Sequence, residues 1–150
     1  MSFRKLLLGW GNWARDCHKM EDLILATLET EGLKKEDCVI YAPPRGGLVL
    51  GVTLSHILEI PMILDLGHVS HKHVLFLDDI VDSGAEASIF LEAYPTGLIF
   101  AWVLKRNQHL NPAKDRTKAL LFATEEWVVF PWEKAENWVA EKEQYDTSRQ

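Results

Sequence analysis

The sequence predicts an α/β fold with a mostly parallel central sheet flanked by helices. Short apolar runs at Cys38–Ala42, Val74–Leu77 and Leu98–Leu104 are the right length for strands buried on both faces. The first two run through glycine-bearing turns into helical patterns, each making half of a βαβ unit. The 150 residues, 47% apolar and 25% charged, suit one domain over 1–150 with a real core.

The first eleven residues read as a short extended segment ending in Gly9-Trp10-Gly11. Asn12 then suits the N-cap of a helix running to about Glu31. Trp13, Cys17, Met20, Ile24 and Leu28 share one face at helical spacing, and Gly32 fits the stop. After the Cys38–Ala42 strand, Pro43-Pro44-Arg45-Gly46-Gly47 forms a turn and Leu48–Leu58 a helix. Pro61–Leu66 reads as a strand, Ala85–Ala93 as a helix ended by Tyr94-Pro95-Thr96-Gly97, and Lys105 and Arg106 as the end of the Leu98–Leu104 strand. Asn107–Arg116 is a polar loop between that strand and two shorter ones, Lys118–Phe122 and Trp127–Phe130. Glu133 to about Gln144 suits a helix, with a tail from Asp146 that lacks a structural signal.

Composition excludes several classes of function. A formal net charge of −6 without a local basic patch argues against nucleic acid as a partner. Two cysteines, Cys17 and Cys38, are too few for a disulfide framework. No signal peptide is evident, and the apolar run Leu6–Leu8 is far too short to span a bilayer. The expected setting is the cytoplasm.

The chemistry concentrates in Val74–Ser88. A buried strand ends in two adjacent carboxylates, Asp78 and Asp79, at the carboxyl edge where ligands of parallel sheets bind. Asp82-Ser83-Gly84 then leads into a helix from Ala85, whose free N–H groups could cradle an anion. Acids for a cation or sugar hydroxyls beside a phosphate cradle suggest a sugar-phosphate site. Ser83 and Glu86 also fit a capping box, which would place the helix's own carboxylate where a phosphate should sit. His68, His71 and His73 have a spacing that could gather a transition metal, although loop histidines are ordinarily just polar.

The string VLFLDDIVDSGAEAS resembles the signature of type I phosphoribosyltransferases, which bind phosphoribosyl pyrophosphate (PRPP); it matches through Gly84 and departs at Glu86, where the family has threonine. YAPPRGGLVLG resembles the pyrophosphate turn of xanthine-guanine-type members, which often carries a cis peptide before the arginine, here Pro44–Arg45. LEAYP, the lysine Lys105 and EEWVVFPWE follow in similar order, so the resemblance covers about Cys38 to Glu133. Only the nine residues Asp65–His73 stand where the family has a long mobile hood, which implies a small, reduced one.

The resemblance implies transfer of a phosphoribosyl group from PRPP to guanine, xanthine or hypoxanthine in purine salvage, with pyrophosphate released. Asp78 and Asp79 would hold the ribose hydroxyls and Mg2+, with Asp79 the metal ligand, and Asp82 would accept the purine proton. Arg45, Gly46 and Gly47 would hold pyrophosphate, and Asp82, Ser83, Gly84, Ala85 and Glu86 would form the 5′-phosphate loop. Lys105 would donate to the purine 6-oxo group, Trp127 would stack on the base, Val128 would meet its exocyclic group, and Trp132 would serve packing. A homodimer or homotetramer is implied. The departures keep two other readings open. One is a transferase-fold protein that binds a nucleotide or base as a sensor or interaction module. The other is an enzyme whose ribosyl substrate lacks the 5′-phosphate.

Overall fold

The computed structural model describes residues 4–69, 72–105, 113, 116–124 and 126–133. Strand β1 (Lys5–Leu7) precedes helix α1 (Trp10–Glu31), and a 3-10 turn at Lys35–Asp37 leads into β2 (Cys38–Tyr41). Helix α2 (Gly46–Leu58), β3 (Met62–Ile63), a 3-10 turn at Leu66–His68 and β4 (His73–Val81) follow. Helix α3 (Ala85–Ala93), β5 (Leu98–Lys105), β6 (Thr117–Ala123) and β7 (Trp127–Val129) complete the order.

Five strands form one sheet in the order β3-β2-β4-β5-β6, and every neighbouring pair is parallel. Side-chain alternation along the strands divides the core in two. Cys38, Ile40, Leu75, Leu77, Phe100 and Trp102 pack with the buried faces of α1 and α2. Val39, Val74, Phe76, Ile99 and Ala101 instead meet Ala87 and Phe90 of α3. Helices therefore flank both faces of the sheet, as the buried strand runs require. All five residues of the predicted α1 stripe are buried, and Gly32 caps the helix with φ 69°, a left-handed conformation that glycine adopts without cost.

Four sequence expectations need correction. Helix α1 begins at Trp10 with Gly9 as N-cap; Asn12 is the third helical residue and accepts the Gly9 N–H through Oδ1 at 2.9 Å. The Pro61–Leu66 strand contracts to Met62–Ile63, paired with Ile40 and Tyr41. Beyond it Leu64 is exposed, and the Asp65 side chain takes the Gly67 N–H at 2.8 Å, turning the chain away from the sheet. Strand β4 does not stop at Leu77 but runs on to Val81, because β5 keeps pairing alongside it. The N-cap of α3 is Gly84, φ 79°, so Ser83 precedes the cap and the Ser83–Glu86 capping box does not form as expected. The expected helix from Glu133 to Gln144, the tail from Asp146, Arg106 and most of the 107–116 loop lie outside the described residues.

One feature has no counterpart in the sequence reading. β1 and β7 form a separate two-stranded parallel sheet, with Lys5 opposite Trp127, Leu6 opposite Val128 and Leu7 opposite Val129. An aromatic cluster ties this small sheet to the body. Trp13 meets Trp102 and Trp132 edge-on at 5.3 and 5.2 Å, and Phe130 stacks on Trp132. The buried Trp102 indole donates to Asp16 Oδ2 at 2.7 Å, which satisfies a carboxylate otherwise costly to bury. Trp132 thus has the packing role expected of it. Among the described residues no helix is long and apolar enough to cross a membrane.

Candidate active site

The two strands flanking β4 end at different heights. β2 pairs with it only as far as Phe76, whereas β5 follows it to Val81. On the β2 side, the stretch from Asp78 onward is therefore left to the turn that leads from β2 into α2. That turn contains the cis Pro44–Arg45 peptide and enters α2 at Gly46.

This packing brings the two glycines against the two acids. A Cβ built on Gly46 would lie 1.9 Å from Asp79 Oδ2, and one on Gly47 would lie 3.0 Å from Asp78 Oδ1. A side chain at Gly46 would collide with the Asp79 carboxylate, and one at Gly47 would crowd Asp78 and Pro43. The Asp79 carboxylate thus sits against the first residue of α2, where unpaired N–H groups and the helix dipole favour negative charge. Arg45, the N-cap of α2, is exposed beside it.

The acid pair is held from within. Asp78 Oδ1 accepts the Asp79 N–H at 2.9 Å, and Asp79 Oδ1 accepts the Ile80 N–H at 3.0 Å. Burial pushes the Asp78 carboxyl up to about 10, helped by its hydrogen bond with Asp79 and by the charges of Asp79 and Glu86; the Asp79 backbone N–H pulls the other way. Asp79 is also raised by burial, but hydrogen bonds from Asp78 and from backbone N–H groups oppose this. The two carboxyls titrate as a pair, and burial raises both of them.

A cavity of about 310 Å³ opens along the chain from Asp78 to Ala87. Asp82 is half-buried in its wall, and Ser83, Ala85 and Glu86 are exposed at its mouth. Ser83 Oγ accepts the Ala85 N–H at 3.3 Å, and the Gly84 carbonyl accepts the Ser88 N–H at 2.8 Å, fixing the first turn of α3. The expected phosphate-loop residues Asp82, Ser83, Gly84, Ala85 and Glu86 all line this one space.

The expected base-binding residues gather at the same sheet edge. Asp82 follows Val81 and Lys105 follows Leu104, and Val81 is registered opposite Leu104, so the two side chains leave adjacent strands at one level. Lys105 is buried, and its Nζ donates to the Glu126 carbonyl at 2.7 Å, immediately before Trp127 and Val128 of β7. The Trp127 N–H in turn donates to the Arg4 carbonyl. Sequence reasoning missed both ties. Only the short extended segment read in the first eleven residues hinted at a strand, and nothing indicated its partner.

Other candidates fall away from this edge. Among the described residues no group of three or more His, Cys, Asp or Glu side chains could hold a metal ion. His73 starts β4, at the strand end opposite the acids, while His71 and the His68 side chain lie outside the described residues. Cys17 and Cys38 are buried free thiols. Burial first, and the Asp16 charge second, push Cys17 up to about 11, so it stays protonated at neutral pH.

Comparison with known proteins is informative in structure alone. Neither a protein-family model nor a curated protein matches the sequence significantly. Among solved structures, a purine phosphoribosyltransferase from Pyrococcus horikoshii aligns with TM-score 0.66 and 27% identity over 87% of this chain and 94% of that one. A xanthine-guanine-hypoxanthine phosphoribosyltransferase from Helicobacter pylori aligns with TM-score 0.63 and 17% identity, covering 92% and 99% of the two chains. A hypothetical protein from Neisseria gonorrhoeae with bound ppGpp gives TM-score 0.63 at 15% identity, covering 100% and 99%.

Proposed function

We propose that this chain, which has the type I phosphoribosyltransferase fold of those neighbours, transfers the phosphoribosyl group of PRPP to a 6-oxopurine base and releases pyrophosphate. The observation that carries the reading is the closure of the Arg45–Gly47 turn onto Asp78 and Asp79, which leaves no room for a Cβ on Gly46 and little on Gly47. With a cation at the acids, the backbone N–H groups that open α2 and the Arg45 side chain would meet it at one place. A pyrophosphate leaving group needs that convergence.

The residues present fit magnesium. Two adjacent carboxylates, in a chain where no group of three or more His, Cys, Asp or Glu among the described residues is placed to hold a metal ion, offer hard oxygen donors. Such a set suits a cation that completes its octahedron with water and substrate oxygens. Asp79 would ligate it with Asp78 alongside, and bound magnesium would neutralise charge on the leaving pyrophosphate.

In the reaction, the C1–O bond to pyrophosphate breaks and its electron pair leaves on oxygen. A purine ring nitrogen supplies the lone pair for the new C1–N bond, and its proton passes to Asp82. Arg45 and the Gly46–Gly47 backbone hold the departing pyrophosphate. Lys105 donates to the 6-oxo oxygen, Trp127 stacks on the ring and the Val128 backbone meets the exocyclic group. Burial of Lys105 and its fixed bond to the Glu126 carbonyl support this assignment, because they hold the ammonium at the sheet edge before a base arrives.

The test is incubation with magnesium, PRPP and guanine, hypoxanthine or xanthine, with nucleotide and pyrophosphate quantified by chromatography. Equal amounts of both products, dependent on the base and lost in Asp79→Asn, are expected. Absence of any base-dependent product refutes the transferase. That result would favour the second reading, a nucleotide or base sensor, for which Glu86 at the mouth of the cavity is the supporting observation. One neighbour of the same fold does hold a nucleotide, ppGpp.

A further inference from the structure

The α3 end of the cavity has an unusual charge for a phosphate cradle. Of the residues that line it, Asp78, Asp82 and Glu86 are acids, and among the described residues none is Lys, Arg or His. A phosphate at a helix N-terminus is normally held by unpaired N–H groups and the helix dipole. Here the Ala85 N–H is already directed to Ser83 Oγ, and the first turn carries Glu86 itself. Glu86 and Asp78 line the same cavity. A phosphate dianion placed in this cavity meets the Glu86 carboxylate at its mouth, with no cationic side chain among the described lining residues to offset it. A hydroxyl in the same place donates a hydrogen bond to a carboxylate, which accepts at several lone-pair positions.

We propose that Glu86 sets the specificity of this cavity for the C5 end of the ribose, favouring a 5′-hydroxyl over a 5′-phosphate. The inference rests on the proposed transfer site and departs from that reading in the donor, with PRPP a weaker ligand than its 5′-hydroxyl counterpart. The pyrophosphate end is unaffected, because the Arg45–Gly47 turn packs on the acid pair and is not part of the cavity lining. A ribosyl donor with pyrophosphate at C1 and a free hydroxyl at C5 would satisfy both ends. PRPP would be held mainly through its pyrophosphate, its 5′-phosphate opposed by Glu86.

Guanosine and guanosine 5′-monophosphate differ only at C5 and correspond to the product side of the transfer. Their affinities are to be measured by calorimetry with wild type, Glu86→Gln and Glu86→Thr. Glu86 is exposed on the first turn of α3, so neither substitution touches the core. Glu86→Gln removes the charge at constant length, and Glu86→Thr also shortens the side chain. Wild type is expected to bind guanosine at least about tenfold tighter than the monophosphate, a difference of ~1.4 kcal/mol. Both variants should bind the monophosphate at least about tenfold better than wild type does, with no gain for guanosine. If the monophosphate binds wild type more tightly and both variants leave that preference unchanged, Glu86 has no such role, while the base and ribose site stands. If neither ligand binds any of the three proteins, the site reading falls and takes the inference with it.

Discussion

Replacing Asp78 by Asn should make the protein more stable at neutral and alkaline pH. Asp78 is 9% exposed and its carboxyl is pushed up to about 10, so the folded protein holds a proton there that the unfolded chain, with a carboxyl near 3.9, releases. A group raised in this way contributes stability that is fully present below about pH 4 and is lost as pH rises toward 10. Over that window, the unfolding free energy should fall by up to about 1.4 kcal/mol per pH unit, the limit for one proton. Between pH 6 and pH 8 the loss is at most about 3 kcal/mol. Asparagine keeps the shape, offers an N–H to Asp79 where protonated Asp78 offered its O–H, and carries no proton to lose. Urea unfolding at pH 6, 7, 8 and 9, without divalent cations, measures the slope. The wild-type free energy should fall across the series, and that of Asp78→Asn should fall much less. Parallel slopes for the two proteins would refute the argument that the Asp78 carboxyl is raised in the folded protein.

Other perturbations follow from named contacts. Gly46→Ala puts a methyl 1.9 Å from Asp79 Oδ2, and neither β4 nor the start of α2 can yield freely. It should cost about 1–3 kcal/mol in urea unfolding and abolish PRPP binding in calorimetry; an unchanged variant would mean that the turn does not pack on the acids. Trp102→Phe strands the Asp16 carboxylate and should destabilise by about 1–3 kcal/mol. A double-mutant cycle with Asp16→Asn should show coupling of at least about 0.5 kcal/mol, and exact additivity would contradict the bond. Lys105→Met should raise the KM for the base at least about tenfold, the scale of one lost charged hydrogen bond, while PRPP affinity stays within about twofold. A loss confined to PRPP would place Lys105 at the wrong ligand.

The local parts of this architecture were legible in the sequence, and the long-range parts were not. The α1 stripe from Trp13 to Leu28, the bounds of α3 at Ala85 and Ala93, and the glycine stop at Gly32 follow from periodicity and capping. The end of β4 was misread because carboxylates are depleted in strands; Asp78 and Asp79 remain in one because β5 continues beside them as far as Val81. The β1–β7 sheet joins Lys5 to Trp127, and no local pattern specifies a parallel pairing across most of the chain. The site divided in the same way. The Asp78–Asp79 and Arg45–Gly47 strings were each readable as motifs, but the packing of Gly46 on Asp79 depends on β2 ending at Tyr41. The Lys105 bond to the Glu126 carbonyl likewise exists only once β7 is held by the N-terminal strand.

The central claim is that the Arg45–Gly47 turn and the Asp78–Asp79 edge form one site for a magnesium-bound pyrophosphate. Calorimetric titration of pyrophosphate, with and without magnesium, tests it apart from any chemistry. The prediction is saturable binding at one site per chain that requires magnesium and is lost in both Arg45→Ala and Asp79→Asn. Magnesium-independent binding, or binding that survives both substitutions, would contradict it.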